Sequence, residues 1–196
     1  MDMKSICVFC GSNLGGKPEY KEATQAFGKL LARKNIRLIY GGGNVGLMGI
    51  IASSVMEAGG EVVGVIPKFL ADKELAHTDV SKLHVVGSMH ERKALMADLS
   101  DGFVALPGGI GTLEEIFEVF TWAQLGLHEK PCAVLNVAGF YDHLYTFLQN
   151  TVEMRFMKAP NLDMLILESD AEKMLERMKS YRSPKIEKWI ERQSQT

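Results

Sequence analysis

Short apolar runs, each too brief for a helix, alternate along this chain with longer segments of helical period, and no other feature restricts the fold so strongly. The runs fall at residues 6–9, 38–40, 62–66, 83–86, 103–106, 132–135 and 164–167. Helical stretches occupy 18–34, 47–58, 89–99, 112–127, 141–155 and 171–179. Within 18–34, Ala23, Ala26, Phe27, Leu30 and Leu31 return at helix spacing and define one buried face. Several runs are apolar at nearly every position, the pattern of strands whose sheet carries helices on both faces. The expected fold class is therefore α/β, a doubly wound and mostly parallel central sheet with right-handed crossovers. The 196 residues match one domain around one large core, expected to span 1–196 without linker or repeat. The polar end, 183–196, carries Ile186, Trp189 and Ile190 at helix spacing and reads as a C-terminal helix or tail.

Such sheets bind ligands beyond the carboxyl ends of their strands. Three glycine turns fall there: Cys10-Gly11-Ser12-Asn13, Gly41-Gly42-Gly43-Asn44-Val45-Gly46 and Pro107-Gly108-Gly109-Ile110-Gly111-Thr112. They are expected to converge on one nucleotide cleft, with Ser12, Gly42 and Gly43 among its contacts. The second turn satisfies G-x-G-x-x-G through Gly41, Gly43 and Gly46, yet it follows the second strand, and Glu61 opens the next strand where a ribose-binding acid should close it. A close backbone approach to a mononucleotide, or plain turn chemistry, is the preferred reading.

The third turn carries the most chemistry. It joins Phe103-Val104-Ala105-Leu106 to a helix, so unpaired N–H groups and the positive end of the helix dipole face whatever anion sits there. No P-loop lysine accompanies it. Instead Glu114 and Glu115 enter the first part of the helix, which suggests bond cleavage in a nucleotide rather than phosphoryl transfer. Thr112 and Glu115 also fit the capping box S/T-x-x-E, in which both side chains only satisfy orphan N–H groups. Two carboxylates beside a phosphate need compensating cations, and His90-Glu91-Arg92-Lys93, at the start of the preceding helix, supplies them. Arginine suits bidentate phosphate recognition better than lysine. Read alone, the same run is a solvated helix face.

Other classes are disfavoured. The net charge of −2 offers no basic face for nucleic acid or a membrane surface. No secretory signal or membrane-length apolar run appears, and with three cysteines a reducing cytoplasm is the expected compartment. Cys7 and Cys10 lie in and just after a strand, not at a helix start, so a structural role is preferred over a redox pair. His77, His84, His90, His128 and His143 show no metal-ligand spacing, and no metal site is expected. Met89, Met96 and the methionines near Met154 read as core or interface filler.

Met89-His90-Glu91-Arg92-Lys93 together with Pro107-Gly108-Gly109-Ile110-Gly111-Thr112-Leu113-Glu114-Glu115 closely resembles the LONELY GUY (LOG) family, whose hallmark is P-G-G-x-G-T-x-x-E with an upstream R-K. The likeness continues through Gly41 to Gly49 and through Thr121-Trp122-Ala123-Gln124-Leu125-Gly126, over roughly residues 5 to 155. It implies a Rossmann-like fold and hydrolysis of the N-glycosidic bond of an adenosine 5′-monophosphate, giving free base and ribose 5-phosphate. Carried over, the catalytic pair is Arg92 and Glu115, with substrate contacts at Glu74, Arg92, Lys93, Gly108, Gly109, Ile110, Gly111, Thr112, Leu113, Glu114, Glu115 and Thr121. The 5′-phosphate would rest on the N–H groups of 108–112, Glu115 would stabilise oxocarbenium character or deprotonate water, and Glu74 would meet the ribose hydroxyls. Arg92 is either a phosphate clamp or a donor that helps the base leave. The resemblance implies no metal or organic cofactor. It also implies a homodimer with the site near the interface, which the apolar helix residues Phe117, Phe120, Trp122 and Leu125 fit as either a buried or a dimer face.

Three functions compete. The leading one is the hydrolase, acting on AMP, on N6-modified AMP such as isopentenyladenosine monophosphate, or on both. The second is a non-catalytic nucleotide or molybdenum-cofactor carrier, which would not require Glu115. The third is a lysine decarboxylase, which would need a pyridoxal-phosphate Schiff-base lysine, and Lys93 is the only lysine near the expected site.

Overall fold

A computed structural model describes residues 2–73 and 76–184. In chain order the elements are β1 (Ser5–Phe9), α1 (Pro18–Arg33), β2 (Arg37–Tyr40), α2 (Gly46–Glu57), β3 (Val62–Pro67), α3 (Lys68–Ala71), β4 (Lys82–Val86), α4 (Met89–Asp98) and β5 (Phe103–Ala105). They continue with α5 (Ile110–Gln124), β6 (Cys132–Leu135), a 3-10 turn (Val137–Gly139), α6 (Asp142–Glu153), α7 (Ala159–Leu162), β7 (Leu165–Glu168) and α8 (Ala171–Ser180). The seven strands form one sheet in the order β4-β3-β2-β1-β5-β6-β7. Every pairing is parallel, so the expected doubly wound sheet is present and wholly, not mostly, parallel within the described residues.

Period-two alternation divides the core. Ile6, Val8 and Cys10 point into one layer, with α1 residues Phe27, Leu30 and Leu31 and α2 residues Leu47 and Ile51. Cys7 and Phe9 point into the other, with Met96 of α4 and Ile116, Val119 and Phe120 of α5. Phe27 and Leu31 are wholly buried, each worth about 1.5–3 kcal/mol by transfer from water. Cys7 and Cys10 thus face opposite layers, both buried and unpaired, as the structural reading requires. The edge strand β4 is the least covered, with no fully buried position and Val85 exposed.

The sequence expectation misses α3, α7 and the 3-10 turn, none long enough to show a period. It also starts α5 two residues late. Gly109, extended at φ −90°, ψ −157°, is the N-cap without a side-chain partner, and Leu113 N donates to Gly109 O at 3.1 Å. Thr112 therefore sits inside the helix, and the Thr112–Glu115 capping box does not form. The expected helix or tail at Ile186, Trp189 and Ile190 lies outside the described residues.

Candidate active site

The strand order reverses between β1 and β5. From β1 the chain builds outward to β4, then returns to add β5 on the other side, which opens a crevice at the carboxyl ends of these two strands. The backbone fixes the loops that border it. Leu106 N donates to Phe9 O at 2.9 Å, Gly11 N to Pro107 O at 3.1 Å, and Leu47 N to Gly11 O at 3.0 Å. Tyr141 Oη donates to Leu106 O at 2.7 Å from below.

At the start of α5 the N–H groups of Ile110, Gly111 and Thr112 have no intrahelical acceptor, since Leu113 is the first residue to donate back. No side chain caps them. Gly108 lets the loop fold tightly over its own helix, because a Cβ there would run into Thr112 Oγ1. The result is a row of free donors at the positive end of a 15-residue helix.

The facing wall is α4. Ser88 caps it, accepting from Glu91 N at 3.1 Å, while Glu91 Oε2 accepts from Gly87 N at 2.7 Å. Glu91 is thus the reciprocal partner in a capping arrangement one helix earlier than the sequence suggests. Arg92 follows and turns inward, 8% exposed. Its Nε donates to Val65 O at 3.2 Å, and its Nη1 reaches Glu115 Oε1 at 2.8 Å. Nη2 lies where a Cβ on Gly41 would stand. Gly41 therefore makes room for a guanidinium, not for a nucleotide backbone.

Glu115 is 9% exposed. Burial pushes its carboxyl above the ordinary range and Glu114 pushes the same way, while Arg92 and Lys93 pull it down. A buried carboxylate held by one arginine beside free N–H donors is a group that can face developing positive charge or accept a proton.

Arg92, Glu115 and the start of α5 enclose a cavity of about 310 Å³, which Ser12 from the β1 turn, Met48 and Met89 also line. A second cavity of about 280 Å³ shares Gly11, Ser12 and Gly109 with it and is walled by Leu14, Tyr20, Leu47 and Phe140. Phe140 packs edge-on to Tyr20 and Tyr141, with ring centroids 5.6 and 4.9 Å away.

Of the residues expected from sequence, Ser12, Arg92, Gly109, Ile110, Gly111, Thr112, Glu114 and Glu115 line the first cavity, and Gly108 lines the second. Five do not reach either. Lys93 is engaged by Glu114 and Glu118. Leu113 packs into the core, and Thr121 is exposed, its hydroxyl donating to Phe117 O at 2.7 Å. Gly42 and Gly43 turn towards the 76–77 segment, where Gly42 O accepts from His77 N at 2.9 Å and Gly43 bridges Ala76. Glu74 lies outside the described residues.

The sequence reading also missed several wall residues. Met96 is core, as expected, but Met89 and Met48 stand at the cleft; their adjacency to the Arg92 and Gly46 motifs was the available signal. Tyr20 and Phe140 carry no local signal. Among the described residues no cluster of potential metal ligands occurs, and no helix is long and apolar enough to cross a membrane.

Comparison with known proteins places the chain among relatives and shared folds. Residues 48–178 match the model of a family described as "possible lysine decarboxylase". A cytokinin riboside 5′-monophosphate phosphoribohydrolase of Arabidopsis thaliana is 45% identical over 191 residues, covering 97% of this chain and 89% of the relative. Another from the same plant is 46% identical over 176 residues, with 90% and 82% covered. Among solved structures, the molybdenum cofactor binding protein from Rippkaea orientalis superposes with a TM-score of 0.68 at 23% identity, over 92% of this chain and 98% of that one. At that identity the likeness is one of fold.

Proposed function

The chain belongs to the LOG family of cytokinin riboside 5′-monophosphate phosphoribohydrolases, and from that membership we propose that it hydrolyses the N-glycosidic bond of adenosine 5′-monophosphates. Water adds to C1′, the C1′–N9 bond breaks, and the base departs with a proton, leaving ribose 5-phosphate. The observation that carries the reading is the buried Arg92–Glu115 pair, 2.8 Å apart, in one cavity with the free donors of α5.

The 5′-phosphate rests on the N–H groups of Ile110, Gly111 and Thr112. This directs the ribose towards Glu115, whose carboxylate stabilises the oxocarbenium character of the sugar and accepts a proton from the attacking water. Arg92 has Nη1 on Glu115 and Nε on Val65 O, so its first task is to hold that carboxylate ionised and oriented. The cavity wall formed by Met48, Met89 and Ile110 is soft and apolar, which favours an N6-alkylated base over bare adenine. The lysine decarboxylase activity in the family model's description finds no support in the site: Lys93 is committed to two carboxylates. A carrier needs no buried acid, and the Arg92–Glu115 pair weighs against it.

We assign the protein to a homodimer. Leu125 and Leu127, at the end of α5, are 61% and 70% exposed, and a second copy would cover them. Phe120 of the same helix is already buried in the core, and Phe117 and Trp122 are partly so. Light scattering is expected to give twice the chain mass for wild type and less for Leu127→Lys; a monomeric wild type would reject the assignment. Three buried, unpaired cysteines suit a reducing cytoplasm.

The test is a product assay with AMP and isopentenyladenosine monophosphate. Wild type should release free base and ribose 5-phosphate, faster from the alkylated nucleotide. Glu115→Gln should lose about 10²–10⁴-fold in kcat. Base release that survives in Glu115→Gln would remove the carboxylate from the mechanism.

A further inference from the structure

Arg92 and Lys93 are neighbours on α4, and they reach Glu115 and Glu114, neighbours on α5. The two rungs do different things. Arg92–Glu115 points into the cleft and both side chains are nearly covered. Lys93 Nζ lies 2.6 Å from Glu114 Oε1 and 3.0 Å from Glu118 Oε1, bridging two carboxylates one turn apart on the same helix face. Its side chain is 12% exposed, against 49% for Glu114. Glu114 lines the cleft; Lys93 does not.

Glu114 is therefore the awkward group of the site. Its free carboxylate would stand beside the α5 donors and repel the anion they are arranged to hold. It also raises the proton affinity of Glu115.

We propose that Lys93 is a positioning residue that acts on the substrate through Glu114, drawing its carboxylate towards Glu118 and cancelling its charge, so that the helix start keeps its affinity for a phosphomonoester and Glu115 stays ionised. This rests on the phosphate site proposed above but departs from the direct substrate contact that the family resemblance implies for Lys93. The Nζ is already shared by two carboxylates, and the hydrogen bond to Glu114 foremost keeps the ammonium charged.

Calorimetric titration with ribose 5-phosphate tests the inference independently of turnover. Lys93→Met should weaken binding about tenfold through uncompensated like charge, and Lys93→Met/Glu114→Gln should return it to within about threefold of wild type, since the repelling charge is gone. In the product assay the loss should appear mainly in KM. The acid limb of the kcat/KM profile should move to higher pH in Lys93→Met and return in the double variant. Lys93→Arg should behave as wild type.

A folded double variant, with an unchanged melting temperature, that binds as weakly as Lys93→Met would overturn the proposal and restore a direct lysine–phosphate contact. If Lys93→Met does not fold, Glu114→Gln alone decides. It should bind ribose 5-phosphate as tightly as wild type or more tightly, and weaker binding would overturn the idea. Wild type that binds ribose 5-phosphate but releases no base would sink the hydrolase reading alone.

Discussion

The glycine turn after β2 and the one after β5 look alike in sequence, each a run of glycines between a strand and a helix, and they do opposite things. After β2, Gly41 yields its side-chain space to Arg92, and Gly42 and Gly43 pair with the 76–77 segment. The first turn of α2 is already tied down, since Leu47 N donates to Gly11 O. After β5, Gly109, Ile110 and Gly111 are exposed, and the donors that follow are left unpaired at the head of α5. An anion site is made by donors without partners, not by glycines.

The largest effect should come from the residue that links the two turns. Arg92→Ala leaves Glu115 buried without its cation, which costs about 3–5 kcal/mol when both groups are fully enclosed, and turnover should fall with it. The loss should depend on pH. In wild type the Glu115 pKa is already raised, chiefly by burial, so its ionised form opposes folding above the unfolded value near 4.5 and ceases to do so as acid protonates it. Without Arg92 the native pKa rises further, because the charge that lowers it is gone. The gap in unfolding free energy between wild type and Arg92→Ala should then be widest near neutrality and shrink as pH falls through the raised pKa values. Denaturant unfolding across pH reads this directly. A gap that stays constant with pH would mean that Arg92 supports the fold by packing alone.

Gly41→Ala comes next and breaks the comparison from the β2 side. The new methyl group occupies the place of Arg92 Nη2, so the guanidinium must shift. Misplacing a catalytic group by about 1 Å can cost about 10²-fold in rate. The expected outcome is a large drop in kcat with KM for the nucleotide less affected, because the α5 donors are untouched. A KM effect without a kcat effect would place the nucleotide on the β2 turn after all, as a dinucleotide-type fingerprint would require.

Much of this was legible in the sequence, and the limits are physical. Strand runs and long amphipathic helices announce themselves because burial imposes their period, so the sheet and its two helical layers were readable. Arg92 and Glu115 stand out in sequence because their neighbours are locally distinctive, and the structure brings the two side chains to 2.8 Å in one cavity. Lys93 and Thr121, which the family resemblance places at the substrate, line neither cavity, and helix phase gives the reason. Lys93 follows Arg92 by one residue, a turn of about 100° that carries it out of the cleft. Thr121 follows Glu115 by six residues, about 240° around α5, and points to solvent. Tyr20 and Phe140 could not be found at all, since only the folded chain sets α1 against the segment after β6.

Gly111→Ala is the gentlest test and the one that best separates the turns. Gly111 lies in the first turn of α5, and a Cβ there meets nothing within 4 Å. Alanine is the better helix former by up to about 1 kcal/mol, so the melting temperature should hold or rise slightly. Yet the methyl group projects beside the donors assigned to phosphate, and an incoming anion would meet it. Nucleotide KM should therefore rise several-fold in a protein no less stable than wild type. That pairing of intact turnover geometry and weakened binding is the reverse of Gly41→Ala, where the Arg92 guanidinium is displaced and binding largely persists. If Gly111→Ala binds and turns over as wild type does, the phosphate does not sit at the start of α5, and the free donors there need another occupant.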